Sequence, residues 1–214
     1  TPAVLNYVAL LGWAPKGERS EQEIFSLAEL VDAFDIAGIS KSPAIFDLAK
    51  LDYFNATYLR ALSAGEFAKI AEPYIRQSVK NSAIDIVAAL LQARCEKLTE
   101  IPEKVDFLDA LPEYDVSFFT NKKSKTDSAI SLNMLREAIP ALEGISIWSQ
   151  EAVHDTLIAL AERLGVKNAT LMWPVRIAVA GKLVTPGGAV ELCHILGRDE
   201  TLRRLRFGMK KLEG

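Results

Sequence analysis

The 214 residues carry a formal net charge of −3; half are hydrophobic and a quarter are charged. That balance describes a globular chain able to bury a core, and it excludes a disordered polymer. It also excludes a membrane span, because no apolar run approaches the needed length, and a uniformly basic nucleic-acid coat.

The chain opens at Thr1-Pro2 without methionine and runs at once into "AVLNYVALLGW". A start inside an amphipathic run is what a piece of a longer protein shows, and no secretion signal opens it. "SLAELVDAF" then pairs Ser26 with Glu29 at capping-box spacing and places Leu27, Leu30, Val31 and Phe34 on one helical face. Ser42-Pro43 reads as an N-cap followed by proline at the first helical position, opening "PAIFDLAKL". Ser63 and Glu66 repeat the capping box before "FAKIAEPYI", where Pro73 is placed to kink the helix. "AIDIVAALLQARCEKL" predicts a helix over 83–98 that buries Ile84, Val87, Leu91 and Leu98 and projects Arg94 near its C-terminal end. Pro102 and Pro112 then bracket a short helix between turns.

Trp148 and Val153 straddle Ser149 with the spacing of a hydrophobic staple, and the helix they start stops at Gly165. "LMWPVRIAVAG" ends at Gly181, and a loop holding Pro186-Gly187-Gly188 follows. "AVELCHILG" then stops at Gly197. Asp199 is placed to cap a last helix whose buried face is Leu202, Leu205, Met209 and Leu212. Alternation of period two is confined to "RIAVAGKLV". The expected fold class is therefore all-α, in consecutive small helical bundles.

Charge is segregated along this frame. Residues 198–211 carry six basic and two acidic side chains, whereas 18–35 and 96–115 are each strongly acidic. Neither histidine supports catalysis: His154 lies mid-helix, and His194 diverges from its neighbour Cys193 by about 100° on a helix, so they share no metal face. No glycine-rich phosphate loop with lysine exists. The expectation is no catalytic residue, no metal and no cofactor within the chain. Cys95 and Cys193 read as reduced, buried thiols in a cytoplasmic protein.

RNA suits the basic features better. Arg176, Lys182 and Arg198 flank the 182–188 loop, and Arg203, Arg204 and Arg206 follow on the last helix. Guanidinium planes and glycine-exposed backbone can meet unstacked bases, while further cations hold phosphates. Trp13, Trp148 and Trp173 each adjoin apolar helix and read as core. Alternatives stay open: a cation at a helix C-terminus, meeting the dipole and the acids of 96–115, for Arg94; a solvated helix face for each of the other basic residues alone; and a helical protein-interaction module without RNA binding for the whole.

Four segments carry a family resemblance: "PAVLNYVALLGW", "EIFSLAELVDAFDIAGISKSPAIFDLAKLDYFNATYLR", "LQARCEKLTEIPEK" and "WPVRIAVAGKLVTPGGAVELCHILGRDETLRRL". In this order they resemble the C-terminal half of bacterial glutamyl-tRNA synthetases, class I aminoacyl-tRNA synthetases, over essentially the whole chain. The resemblance implies the end of a stem-contact domain (1–62), a first anticodon-binding subdomain (63–118) and a second (119–214). It implies tRNA(Glu) as partner, a catalytic domain preceding Thr1 in cis, a monomer, and ATP with Mg2+ used only by that catalytic domain. The family's HIGH and KMSKS signatures are absent, and Ser40-Lys41-Ser42-Pro43 echoes the second only superficially, so this chain alone is expected to be inactive.

Carried over by motif, the anticodon-reading arginine falls on Arg94, the arginine before the loop on Arg176, and the loop's Thr-Pro on Thr185-Pro186. The family pattern then has a bulky apolar residue where this chain has Gly188, in a loop one residue longer. The expected RNA-binding set is Arg94, Arg176, Thr185, Pro186, Gly187, Arg198 and Arg203, with the loop presenting backbone to anticodon bases.

Overall fold

The computed structural model describes residues 2–41 and 43–214. Among these residues the chain forms ten α-helices joined by turns and short 3-10 segments, with no strand beyond two isolated bridges. They are α1 (Pro2–Gly12), α2 (Leu27–Ala33), α3 (Leu48–Ala61), α4 (Ala64–Ser78), α5 (Ile84–Gln92), α6 (Ile101–Val105), α7 (Ser128–Glu143), α8 (Gln150–Arg163), α9 (Asn168–Ala180) and α10 (Ala189–Glu213). The all-α expectation holds, and "RIAVAGKLV" is helix to Ala180 and loop beyond.

Local chemistry explains most boundaries. Ser26 with Glu29 and Ser63 with Glu66 form complete capping boxes, each hydroxyl and carboxylate covering one otherwise orphaned N–H. Ser149 caps α8 by accepting from the Ala152 N–H at 3.0 Å. At the other end of α8, Gly165 takes a positive φ, so its N–H reaches the Glu162 carbonyl and the Val166 N–H reaches that of Ala161.

Three expectations need correction. The helix expected to open at Ser42-Pro43 begins at Leu48; Ser42 lies outside the described residues, and 43–47 are not helical. Asp47 supplies the cap, accepting from Ala49 and Lys50, and its own N–H is held at 2.6 Å by the Tyr7 hydroxyl, which fixes the extended approach to the helix. The helix expected over 83–98 stops at Gln92. There the Glu100 carboxylate captures the N–H groups of Glu96 and Lys97 and starts a new turn, which α6 continues with Pro102 near its start. Finally, of the apolar face around α2 only Leu30 is buried; Leu27 (62% exposed), Val31 (71%) and Phe34 (56%), the last with its ring 5.9 Å from that of Trp13, stay largely exposed.

The buried interior has three parts. Ala3, Tyr7 and Phe54 join α1 to α3, and Trp13, Phe25 and Leu30 secure α2 nearby. Asn6, fully buried, stitches these two clusters: its amide donates to the Glu23 carbonyl, and its oxygen accepts from the Phe25 N–H and the Tyr58 hydroxyl. The third and largest cluster runs from Leu59 to Leu205. In it α4 packs on α5 and α6, and α7 to α10 form a second bundle continuous with the first.

A charge joins those two bundles. The sequence pattern puts Arg204 on a solvated basic face, yet it is the largest fully buried side chain. Its guanidinium donates to the carbonyls of Phe107 (2.7 Å), Leu108 (2.9 Å) and Val179 (2.7 Å), and to Glu200 (2.5 Å). A buried cation survives only when its donors are met in this way. Arg203 binds the same Glu200 carboxylate through two nitrogens from the solvent side.

Replacing Arg204 with alanine leaves three carbonyls without their donor, and should lower the unfolding free energy by about 3–5 kcal/mol in urea titration. A loss below about 1 kcal/mol would show that water or a neighbour replaces the guanidinium. Arg203, followed by Arg204, holds the Glu200 carboxyl at about 2, against its ordinary 4.5. The folded value lies below the unfolded one, so this stabilisation is complete above about pH 4.5 and disappears as pH falls towards 2. The stability difference between wild type and Glu200→Gln should shrink across that window.

Candidate nucleic-acid interface

The 181–188 loop begins at the left-handed Gly181, which ends α9 with φ 64° and lies against Tyr114 and Pro112. A side chain there would meet Tyr114 Cδ1 at 2.9 Å, so both conformation and crowding require glycine. Lys182 then folds back onto the first bundle, donating to the Glu103 carbonyl at 2.9 Å and pairing with Asp106 at 2.5 Å. Lys182 is therefore an anchor of the loop, not the free phosphate ligand that its sequence position suggests.

Arg176 holds the far side of the loop. Its guanidinium donates to the Thr185 hydroxyl at 2.8 Å and the Leu183 carbonyl at 3.0 Å, and lies 4.5 Å from the centre of the Trp173 ring. Partial burial pulls its pKa down from the ordinary arginine value. Trp173, half-buried against the core, is also a platform: its indole N–H donates to the Phe118 carbonyl, and its face carries Arg176.

Thr185 donates to the Gly187 carbonyl at 2.7 Å, which closes the turn. Pro186 and Gly187 are buried, contrary to the expectation that they face bases. Gly187 sits on Leu90 of α5 and Leu192 of α10, and a Cβ there would come 2.7 Å from Leu90 Cδ1. The exposed part of the loop is instead Leu183 and Val184, the latter 85% exposed.

Arg94 lies just beyond the end of α5, its guanidinium donating to the Leu90 carbonyl at 3.1 Å. Its other nitrogen is 3.8 Å from Glu191, whose second oxygen accepts from the Gly188 N–H at 3.1 Å. Arg94, Glu191, the 185–188 turn and Arg176 therefore form one continuous network across both bundles. Arg94, Glu191, His194 and Gln150 line an open groove of about 410 Å³ at its edge.

Sequence reasoning misses Glu191, although an acid three residues after Gly188 is the pattern that caps a helix start. His194, set aside as a metal ligand on sequence grounds, lines this groove.

Arg198 and Arg203 lie outside this network. Arg198 donates to the carbonyls of Glu143 and Ile145, satisfying the end of α7 where the helix dipole favours a cation. Arg203 is exposed and paired with Glu200, and Arg206 is paired with Glu143. Gly197, with φ 75° and ψ 172°, breaks α10 where the sequence places a stop. The Cys193 carbonyl beside the break accepts from Trp148 and Thr201 instead. Both cysteines are free and buried, and burial pushes each thiol up to about 12.

Comparison with known proteins gives this surface a context. A family model described as an anticodon binding domain matches residues 66–209. Glutamate–tRNA ligases of Clostridium tetani and Clostridium acetobutylicum are 47% and 45% identical over 99% of the chain. The chain spans 43% of the length of each. A crystal structure of a glutamate tRNA ligase from Elizabethkingia meningosepticum superposes with a TM-score of 0.83 at 24% identity, over 99% of this chain and 41% of that one.

Thr185→Val removes both the acceptor of Arg176 and the donor to Gly187. It should cost about 1–2 kcal/mol of stability and speed amide exchange at 183–188 while leaving α4 and α5 protected. Unchanged exchange at the turn would show that packing of Gly187 alone holds it.

Proposed function

The chain belongs to the anticodon-binding domain family, and from that premise we propose that it is the tRNA-binding portion of a glutamate–tRNA ligase. It grips the anticodon arm of tRNA(Glu) and presents the acceptor end to a catalytic domain carried elsewhere in the longer enzyme. That domain uses ATP and Mg2+ to attach glutamate, and the present chain is inactive alone. The observation that carries this reading is the network from Arg94 through Glu191 and the 185–188 turn to Arg176, which links both arginines in one continuous set of contacts.

Residues 1–62 are read as the end of the stem-contact domain, 63–118 as the first anticodon-binding subdomain and 119–214 as the second. The separate clusters of α1 to α3 support the first boundary. Arg94 reads a base, Arg176 on its Trp173 platform meets a second, and Thr185, Pro186 and Gly187 shape the turn that exposes Leu183 and Val184 to them. Arg198 and Arg203 flank this surface and act on phosphates at most through the donors their partners leave free. A cytoplasmic monomer fits this role, and no described helix is long and apolar enough to cross a membrane. The rival reading, a helical protein-interaction module without RNA binding, is not favoured by the family match.

The test is binding of unmodified tRNA transcripts. Arg94→Gln should weaken the cognate anticodon by about 1–3 kcal/mol, the scale of one bidentate base contact, and weaken an anticodon-changed transcript less. Equal losses for both transcripts would make Arg94 a structural or phosphate-positioning residue, and no binding by the wild type would remove the reading altogether.

A further inference from the structure

Many cations of the second bundle and of the loop it carries are neutralised by ion pairs. Arg136 pairs with Glu213, Arg163 with Glu137, Lys182 with Asp106, Arg203 and Arg204 with Glu200, and Lys211 with Glu113. Arg176 and Arg198 meet a hydroxyl and carbonyls instead. Lys167 and Lys210 are exposed single lysines without an ion pair among the described residues, but the hairpin "TNKKSKTD" between the 3-10 turn at 116–119 and α7 gathers three such lysines. Lys122, Lys123 and Lys125 are exposed, and none makes an ion pair through its ammonium group among the described residues.

Their backbone is nevertheless firmly held. Asn121 and Thr126 exchange two backbone hydrogen bonds of 3.0 Å, and the Asn121 side chain accepts from the Ser124 N–H at 2.9 Å. Ser124 and Thr126 point inward: the Thr126 hydroxyl donates to the Phe119 carbonyl, and the Thr170 hydroxyl of α9 donates to the Ser124 carbonyl, each at 2.8 Å. Lys125 takes a left-handed φ of 54°, a conformation that a lysine adopts at a cost. The acid that follows, Asp127, is occupied in capping α7 through the Ile130 N–H. Three like charges are thus concentrated on a braced hairpin, exposed and without a protein counter-charge, where an arriving phosphate meets ammonium groups that nothing in the fold occupies.

We propose that Lys122, Lys123 and Lys125 form a phosphate-binding site for the RNA backbone, continuing the surface built around Arg176; this rests on the chain binding tRNA as proposed above. Continuity along α9 selects RNA. Thr170 anchors the hairpin, Trp173 anchors Phe118, and Arg176 anchors the 181–188 loop. Thr170 and Arg176 are separated by about 9 Å along the helix axis at 1.5 Å per residue and by about 120° around it, so the hairpin and the loop that they anchor are neighbours along α9. Lysine ammoniums suit this role as point charges that hold phosphate without reading sequence.

The deciding experiment measures tRNA transcript affinity across a salt series for the full chain and for a triple variant, Lys122→Gln, Lys123→Gln and Lys125→Gln. The three ammonium groups brace nothing in the fold, so thermal unfolding of the variant should match the wild type. The slope of log affinity against log salt should become shallower by roughly 2, at about 0.7–0.9 for each phosphate no longer neutralised. The loss should be equal for the cognate and an anticodon-changed transcript. An unaltered slope in a variant that binds RNA overturns the lysine site and leaves the anticodon reading standing, as does a loss confined to the cognate transcript. Failure of the wild type to bind RNA at any salt overturns the anticodon reading itself.

Discussion

Arg204 is the constraint on which the relative placement of everything else depends. Its guanidinium gathers carbonyls from residues 107 and 108, just beyond α6, and from the last turn of α9, while Glu200 on its own helix balances the charge. An apolar contact between the bundles would tolerate sliding. Four directed hydrogen bonds from a rigid planar group do not. Burial opposes the charge and Glu200 restores it, so the lock holds only with both residues in place. Close packing beside it leaves equally little slack: Gly208 lies against Ala178 and Tyr114, where an added Cβ would come 2.8 Å from that of Ala178.

That lock matters because the site is divided between the two bundles it joins. Arg94 follows α5, and Arg176 rides on α9. Between them the 181–188 loop touches both sides, with Lys182 on Asp106 and Gly187 on Leu90. No single element fixes the spacing of the two arginines. The loop transmits it, and its glycines allow the chain to turn at Gly181 and to press close at Gly187. A base contact discriminates only if donors are held where the correct edge will be, so on the reading proposed above rigidity here is part of the recognition.

Much of this was legible in the sequence because local rules decided it. Capping boxes at Ser26 and Ser63, the glycine stops at 165, 181 and 197, and the scarcity of alternation define an all-α frame. The motif match located Arg94 and Arg176. What escaped was tertiary. An amphipathic pattern on α2 names an apolar face but not what covers it, and Leu27, Val31 and Phe34 stay exposed. A run of arginines on one helix looks alike residue by residue, yet Arg198 closes the end of α7, Arg203 stays in solvent and Arg204 is buried. Which cation meets which carbonyl depends on segments nearly a hundred residues away. The inward turn of Pro186 and Gly187 was hidden for the same reason, since only Leu90 reveals it.

The distribution of charge follows from the same distinction between occupied and free groups. A net charge of −3 looks unsuited to an RNA-binding chain. Net charge sets the far field, but beyond about 8–10 Å at physiological ionic strength that field is largely screened. What a phosphate meets at close range is the set of cations not already paired. Many acids on this chain hold arginines and lysines that brace the fold: Glu200, Asp106, Glu143, Glu213 and Glu137 each hold one or more. The acidic majority thereby silences the structural cations. On the reading proposed above, the cations that matter to a polyanion are those without an ion pair that lie together, Lys122, Lys123 and Lys125 of the hairpin beside α9, and they would orient it rather than merely attract it.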